Sequence, residues 1–116
     1  MNGREIKFRA WLVNEKQWYD VDLTDSSNIG VLNVNYKYAL CQHTGLKDEN
    51  GKEIYEGDIV KLYYKGVYRF CEIVFTDGMF CLKWDDGYVN KYHLYPQSLE
   101  VVGNIYENNE LFVNKS

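Results

Sequence analysis

Apolar and polar residues alternate along most of this chain, and short Gly-containing turns interrupt the alternation at regular intervals. In IKFRAWL (residues 6–12), Ile6, Phe8, Ala10 and Leu12 fall on one face, and Lys7, Arg9 and Trp11 on the other. A two-residue period is the pattern of a half-buried strand, because successive side chains of a pleated backbone point to opposite faces. In the second half, the runs IVKLYY (59–64), VYRFCEIVF (67–75), MFCLKW (79–84) and YVNKYHL (88–94) are separated by Lys65-Gly66, Thr76-Asp77-Gly78 and Asp85-Asp86-Gly87. Asp-Gly between alternating runs favours a hairpin, because such residues tolerate positive φ. The pattern predicts an all-β fold, with the evenly spaced later strands forming a small barrel or sandwich.

The first half reads as an N-terminal antiparallel sheet over residues 4–43. WYDVDL (18–23) pairs with the first strand across the polar turn NEKQ (14–17). TDSSNIG (24–30) is a loop by composition, and VLNV (31–34) and YALCQH (38–43) are further strands. TGLKDENGKEIYEGDIV (44–60) then concentrates turn chemistry. Thr44-Gly45 ends a strand, Asp48-Glu49-Asn50-Gly51 makes a tight turn, and Glu56-Gly57-Asp58 turns again. Two turns so close together redirect the chain toward a second part over residues 53–106. LEVVGNIY (99–106) is the closing strand, paired with an earlier one, with Gly103 marking a bulge. Asn108 or Asn109 caps a short helical turn over ELF. The predicted core is Phe8, Ala10, Leu12, Ile59, Ile73, Phe75, Phe80, Leu82, Val101 and Ile105.

A chain of 116 residues is expected to form one domain. Its 13 Lys and Arg against 17 Asp and Glu give a net charge of −4, which argues against a large basic face for nucleic acid. The three cysteines, Cys41, Cys71 and Cys81, form no close pair and read as reduced thiols. The N-terminal MNGREIKFRAW lacks an apolar signal core, and no apolar run reaches the length of a membrane span. The expectation is a soluble protein of the cytoplasm without membrane contact.

Reaction chemistry finds little to work with. Asp48-Glu49-Asn50-Gly51 resembles part of a calcium loop, yet the corresponding first and twelfth positions are Leu46 and Gly57, which offer no carboxylate. Cys41, His43, Cys71, Cys81 and His93 lack zinc-ligand spacing. No nucleophile elbow, phosphate loop or dinucleotide fingerprint occurs. The reading is therefore non-enzymatic, with no catalytic residues, no metal and no cofactor.

Three blocks taken together, REIKFRAW (4–11), TGLKDENGKEIYEGDIV (44–60) and EVVGNIYEN (100–108), resemble the YopX family of small proteins from phages and prophages of Gram-positive bacteria. The resemblance spans nearly the whole chain. It implies a single YopX-like domain over residues 1–116, with an SH3-like barrel in its C-terminal part, and it brings no catalytic residues to carry over. It points to a phage or prophage accessory protein acting inside the bacterial host.

The aromatic content, 11 Tyr, 5 Phe and 3 Trp, supplies the one surface chemistry that stands out. Tyr63, Tyr64, Lys65, Tyr68 and Arg69 flank one hairpin, and Trp84, Tyr88, Lys91 and Tyr92 the next. Arg4, Lys7, Arg9 and Trp11 repeat the theme near the N-terminus. Such a surface suits an extended segment of a phage or host protein, or a second copy of the chain in a homo-oligomer. The alternative partner is single-stranded nucleic acid, with bases stacked on the rings beside Lys and Arg.

Overall fold

The computed structural model describes residues 7–21, 36–90 and 95–108. Its strands are β1 (Phe8–Leu12), β2 (Gln17–Val21), β3 (Tyr38–Lys47), β4 (Glu53–Tyr55), β5 (Asp58–Tyr64), β6 (Val67–Thr76), β7 (Met79–Trp84), β8 (Val89–Asn90) and β9 (Glu100–Asn104). One 3-10 turn, Pro96–Ser98, precedes β9. The expected strand over 31–34, the loop 24–30 and the helical turn over 110–112 lie outside the described residues, as do residues 91–94 of the YVNKYHL strand.

The first sheet has the order β2-β1-β3-β4 and is antiparallel. β1 faces β2 with Trp11 opposite Trp18, and faces β3 with Ala10 opposite Leu40. Ala10, Leu12 and Val21 are buried, with Phe8 and Tyr38 packed against them. That is the apolar face read from the alternation. The opposite face is not simply wet, because Trp11 is buried as well.

The second sheet has the order β8-β7-β6-β5-β9. Four strands form a meander, and β9 returns antiparallel to β5. Lys65 and Gly66 lie at φ of 50° and 89°, and Asp77 and Gly78 at 54° and 78°, so both hairpin turns use the left-handed backbone that their sequences favour. Ile54, Val60, Cys71, Ile73, Leu82, Trp84 and Leu99 form its core, with Leu46, Leu62, Phe80 and Val101 packed against it.

Several expectations need correction. β8 and β9 are the two edges of an open sheet, so among the described residues no barrel closes. Thr44-Gly45 does not end a strand: β3 continues to Lys47, with Gly45 at φ 88° and a register shift between His43 and Lys47. The Thr44 hydroxyl repairs the ladder there, donating to the Ile54 carbonyl and accepting from the Leu46 N–H. β4 pairs with β3, so residues 53–55 belong to the first sheet and the second begins at Asp58. The bulge in β9 falls on Val102, since Val101 pairs with Val60 and Gly103 with Ile59. Gly103 is required for another reason, because a Cβ there would sit 2.5 Å from Asn108 Oδ1. Phe75 is not core: it is 48% exposed near the β6–β7 turn, edge-on to Phe80. Alternation assigns a residue to a face, but not whether anything covers that face. Ile105 is half-buried in the turn after β9, where its N–H donates to the Gly57 carbonyl.

The tight turn at 48–51 is built around a buried carboxylate. Asp48 Oδ1 accepts the N–H groups of Asn50 and Lys52, and Oδ2 accepts that of Val101 on β9. The Glu49 N–H donates to the Leu99 carbonyl beside it. Burial raises the Asp48 carboxyl, and the three N–H donors more than reverse this, leaving it below the ordinary carboxylate value. Asp48→Ala strands those donors and is expected to lower unfolding free energy by about 3 kcal/mol, with Asp48→Asn losing about half as much. Urea titration at neutral pH measures both, and an Asp48→Ala protein of unchanged stability would refute the assignment.

Candidate functional site

Two concave regions collect polar and aromatic side chains. The first lies at the junction of the sheets. Arg9, projecting from β1, reaches Asp58 at the start of β5 with 2.7 Å between Nη2 and Oδ1. Its guanidinium lies 3.9 Å from the Trp18 ring centre and 4.1 Å from that of Tyr55. Asp58 Oδ2 accepts the Tyr55 N–H. Lys7 bridges to Glu53 at 2.6 Å, and the Trp18 indole N–H donates to Glu107. The turn after β9 is self-capped: Asn104 Oδ1 accepts the N–H groups of Tyr106 and Glu107, and Asn108 Oδ1 accepts that of Asn104. A cleft of about 360 Å³ opens here between Lys52 and Glu53 on one side and β9 on the other.

The junction's polar groups hold one another. Arg9, Asp58, Asn104 and Glu107 each have a partner within the site, which describes a joint between sheets more than a site for reaction. The thiols fit the same picture. Cys41, Cys71 and Cys81 are buried. Burial pushes Cys71 up to about 12 and raises Cys41, whose Sγ donates to the Tyr106 hydroxyl at 3.6 Å. Protonated thiols are weak nucleophiles and weak ligands. Among the described residues no group of three or more His, Cys, Asp or Glu is placed to hold a metal ion.

The second region is the aromatic surface expected from the sequence, and the structure divides it between two faces. Residues directly opposite across strands share a face, so Tyr64, Arg69 and Trp84 lie on the face that carries the core, at its open end. Tyr63 and Tyr68 face each other on the reverse side, 5.2 Å between ring centres, with Lys61 4.9 Å over Tyr68. Trp84 is buried, so it forms a wall where the sequence suggested an exposed contact. Tyr64 packs against it at 5.4 Å, and the Arg69 guanidinium lies 4.7 Å over its ring while pairing with Asp85 at 3.2 Å. Lys65 lies 5.2 Å from the Tyr64 ring. Tyr88, 60% exposed, completes a groove of about 380 Å³ with Tyr64, Arg69, Trp84, Asp86 and Asn90. Lys91 and Tyr92 lie outside the described residues. Among the described residues no helix is long and apolar enough to cross a membrane.

The junction was not visible in the sequence as a site. Its signal was present all the same: the buried polar residues Thr44, Asp48, Asp58 and Asn104 all sit inside the three quoted blocks. Loss of water raises Asp58 to about 6, against the Tyr55 N–H and the Arg9 and Lys52 charges that lower it. A carboxyl raised on folding binds its proton more tightly in the folded chain, so its contribution is most favourable below about pH 4 and declines as pH rises toward 6. Asp58→Asn removes that titration. The stability of the wild type relative to Asp58→Asn is expected to fall between pH 4 and pH 7, by up to about 3 kcal/mol. Thermal melts of both proteins across that range read the slope, and a rise in its place would mean that the Arg9 pair outweighs desolvation.

Comparison with known proteins follows the same outline. A model of the family described as YopX protein matches residues 24–113. The crystal structure of protein EF1440 from Enterococcus faecalis is similar at 29% identity and a TM-score of 0.65, covering 95% of this chain and 99% of that one. The crystal structure of protein yopX from Bacillus subtilis shares the fold at 24% identity and a TM-score of 0.53, covering 90% of this chain and 96% of that one. No curated protein matches the chain. With the family model spanning most of its length, the chain belongs to the YopX family.

Proposed function

We propose that this protein is a non-catalytic accessory module of a phage or prophage, acting in the host cytoplasm, whose aromatic groove takes an extended segment of a phage or host protein. The observation that carries this reading is the groove itself: a buried Trp84 wall flanked by Tyr64, Arg69 and the exposed Tyr88. Aromatic rings beside a cation offer large contact area at small entropic cost, and an open sheet end admits an extended chain. The strand order, a four-strand meander with a fifth strand returning beside the first after a 3-10 turn, supports an SH3-like relationship for this part. The absence of reaction chemistry in this reading rests on the Cys41 and Cys71 thiols held protonated by burial and on junction carboxylates engaged by Arg9, Lys7 and Trp18. The phage association rests on the resemblance of the three sequence blocks.

A second reading has its own observation. On the reverse face the exposed Tyr63–Tyr68 pair stands beside Lys61, an arrangement on which bases can stack. The net charge of −4 weighs against it.

One experiment separates the two. A photoreactive phenylalanine analogue placed at Tyr88 is expected to crosslink a protein partner in host cells, while the same analogue at Tyr63 gives none. Crosslinks to its own chain would assign the groove to a homo-oligomer. In parallel, labelled single-stranded DNA is titrated at two salt concentrations. Tight, salt-sensitive binding abolished by Tyr68→Ala, with no crosslink at Tyr88, would replace the groove reading by the nucleic-acid one.

A further inference from the structure

We infer that the segment taken by the groove carries a basic side chain, arginine above lysine, that docks over Tyr88 beside Asp86. This rests on the groove being a peptide site, and adds the chemical identity of the residue it selects.

The argument starts from how this end of the sheet uses its rings. The chain supplies a cation of its own to the Trp84 ring, to Tyr64 and to Tyr68, through Arg69, Lys65 and Lys61. Tyr88 differs from the other rings of the groove, Trp84 and Tyr64. Its ring is 60% exposed, and no cation among the described residues lies over it. A ring face carries partial negative charge and attracts a cation held over it, most of all the planar guanidinium.

Carboxylates show the same asymmetry. Asp85 is bound to Arg69, so that pair carries no net charge into the groove. Asp86, two residues before Tyr88, engages only through Oδ1, which accepts the Tyr88 N–H at 2.9 Å. Among the described residues nothing pairs with its other oxygen. An exposed carboxylate and an exposed ring with no cation over it among the described residues therefore stand at one end of the groove, the carboxylate held by the Tyr88 backbone N–H. A guanidinium laid on Tyr88 could reach Asp86 at the same time, and the combination attracts a cation more than either group alone. Among the described residues β8 is an edge of the sheet, so an extended segment can run along this side of the groove while its side chain reaches Tyr88.

A displayed library of random dodecapeptides, panned on the purified full chain, tests this. Enriched peptides are synthesised with a fluorophore and titrated against the wild type, Asp86→Asn, Tyr88→Ala and the control Asp77→Asn, whose turn lies at the opposite end of the sheet. Asp86→Asn keeps the acceptor for the Tyr88 N–H and removes only charge, and melting curves verify folding of each variant. Enriched peptides are expected to share an Arg or Lys. Replacing that residue by norleucine, or Asp86 by Asn, should weaken binding about fivefold, and the two together no more than either alone. Asp77→Asn should bind as the wild type does. Peptides that lose binding to Tyr88→Ala but are indifferent to Asp86→Asn and carry no shared cation would overturn this inference and leave the groove reading standing. No enrichment, or binding untouched by Tyr88→Ala, would overturn both.

Discussion

A guanidinium bridges the two sheets, beside the hydrogen bond from Val101 to Asp48 and the packing of Ile54 into the second sheet's core. Arg9 leaves the middle of β1, passes between the rings of Trp18 and Tyr55, and ends on Asp58, the first residue of β5. Arginine suits this place because its delocalised charge is weakly hydrated and its flat faces can stack while its edge donates hydrogen bonds. The Asp58 side chain is 3% exposed and that of Arg9 20%, so water screens the pair less than it would a surface pair. Removing one partner from such a pair strands the other, which is why buried pairs constrain a fold more than they stabilise it. This contact acts with the Asp48–Val101 and Glu49–Leu99 hydrogen bonds and the buried Ile54 to set the second sheet against the first.

Around it the aromatic and small residues are matched. Trp11, Trp18 and Tyr106 pack as a cluster with ring centres 5.1 to 6.1 Å apart. Gly57, at φ 89°, lies where a Cβ would come within 3.2 Å of the Tyr106 ring, so the turn into β5 has room for no side chain. Asp48 and Asn104 do comparable work on the backbone. Each uses side-chain oxygens to satisfy N–H groups that the strands leave unpaired. The exposed or half-exposed pairs, such as Lys61–Glu100 at 3.5 Å, contribute much less in high dielectric.

The molecule thus separates two kinds of polar chemistry. At the junction, charges and amides hold segments together, although Arg9 Nε is buried without a hydrogen-bond partner among the described residues. At the far end of β5 to β8, Tyr88 and Asp86 keep capacity that the fold does not use. The three sequence blocks quoted above map to the first kind. The groove is built from residues 64–90, outside those blocks.

Alternation and turn chemistry were enough to place β5, β6 and β7 within a residue of their ends, because period two and left-handed Gly turns are local properties. They were enough to put Tyr64, Arg69 and Tyr88 near one another as candidates. They could not show that Tyr63 and Tyr68 turn to the reverse face, that Trp84 is a buried wall, or that Phe75 is uncovered, because each depends on which distant segment packs over a face. Nor could they show why Thr44, Asp48, Asp58 and Asn104 are polar, since their partners stand on other strands. What the sequence by itself determined was the pleated strands and the turns between them. Only the tertiary structure decided that the sheet stays open among the described residues and that Arg9 meets Asp58, because side-chain burial and charge pairing depend on contacts between residues far apart in the chain.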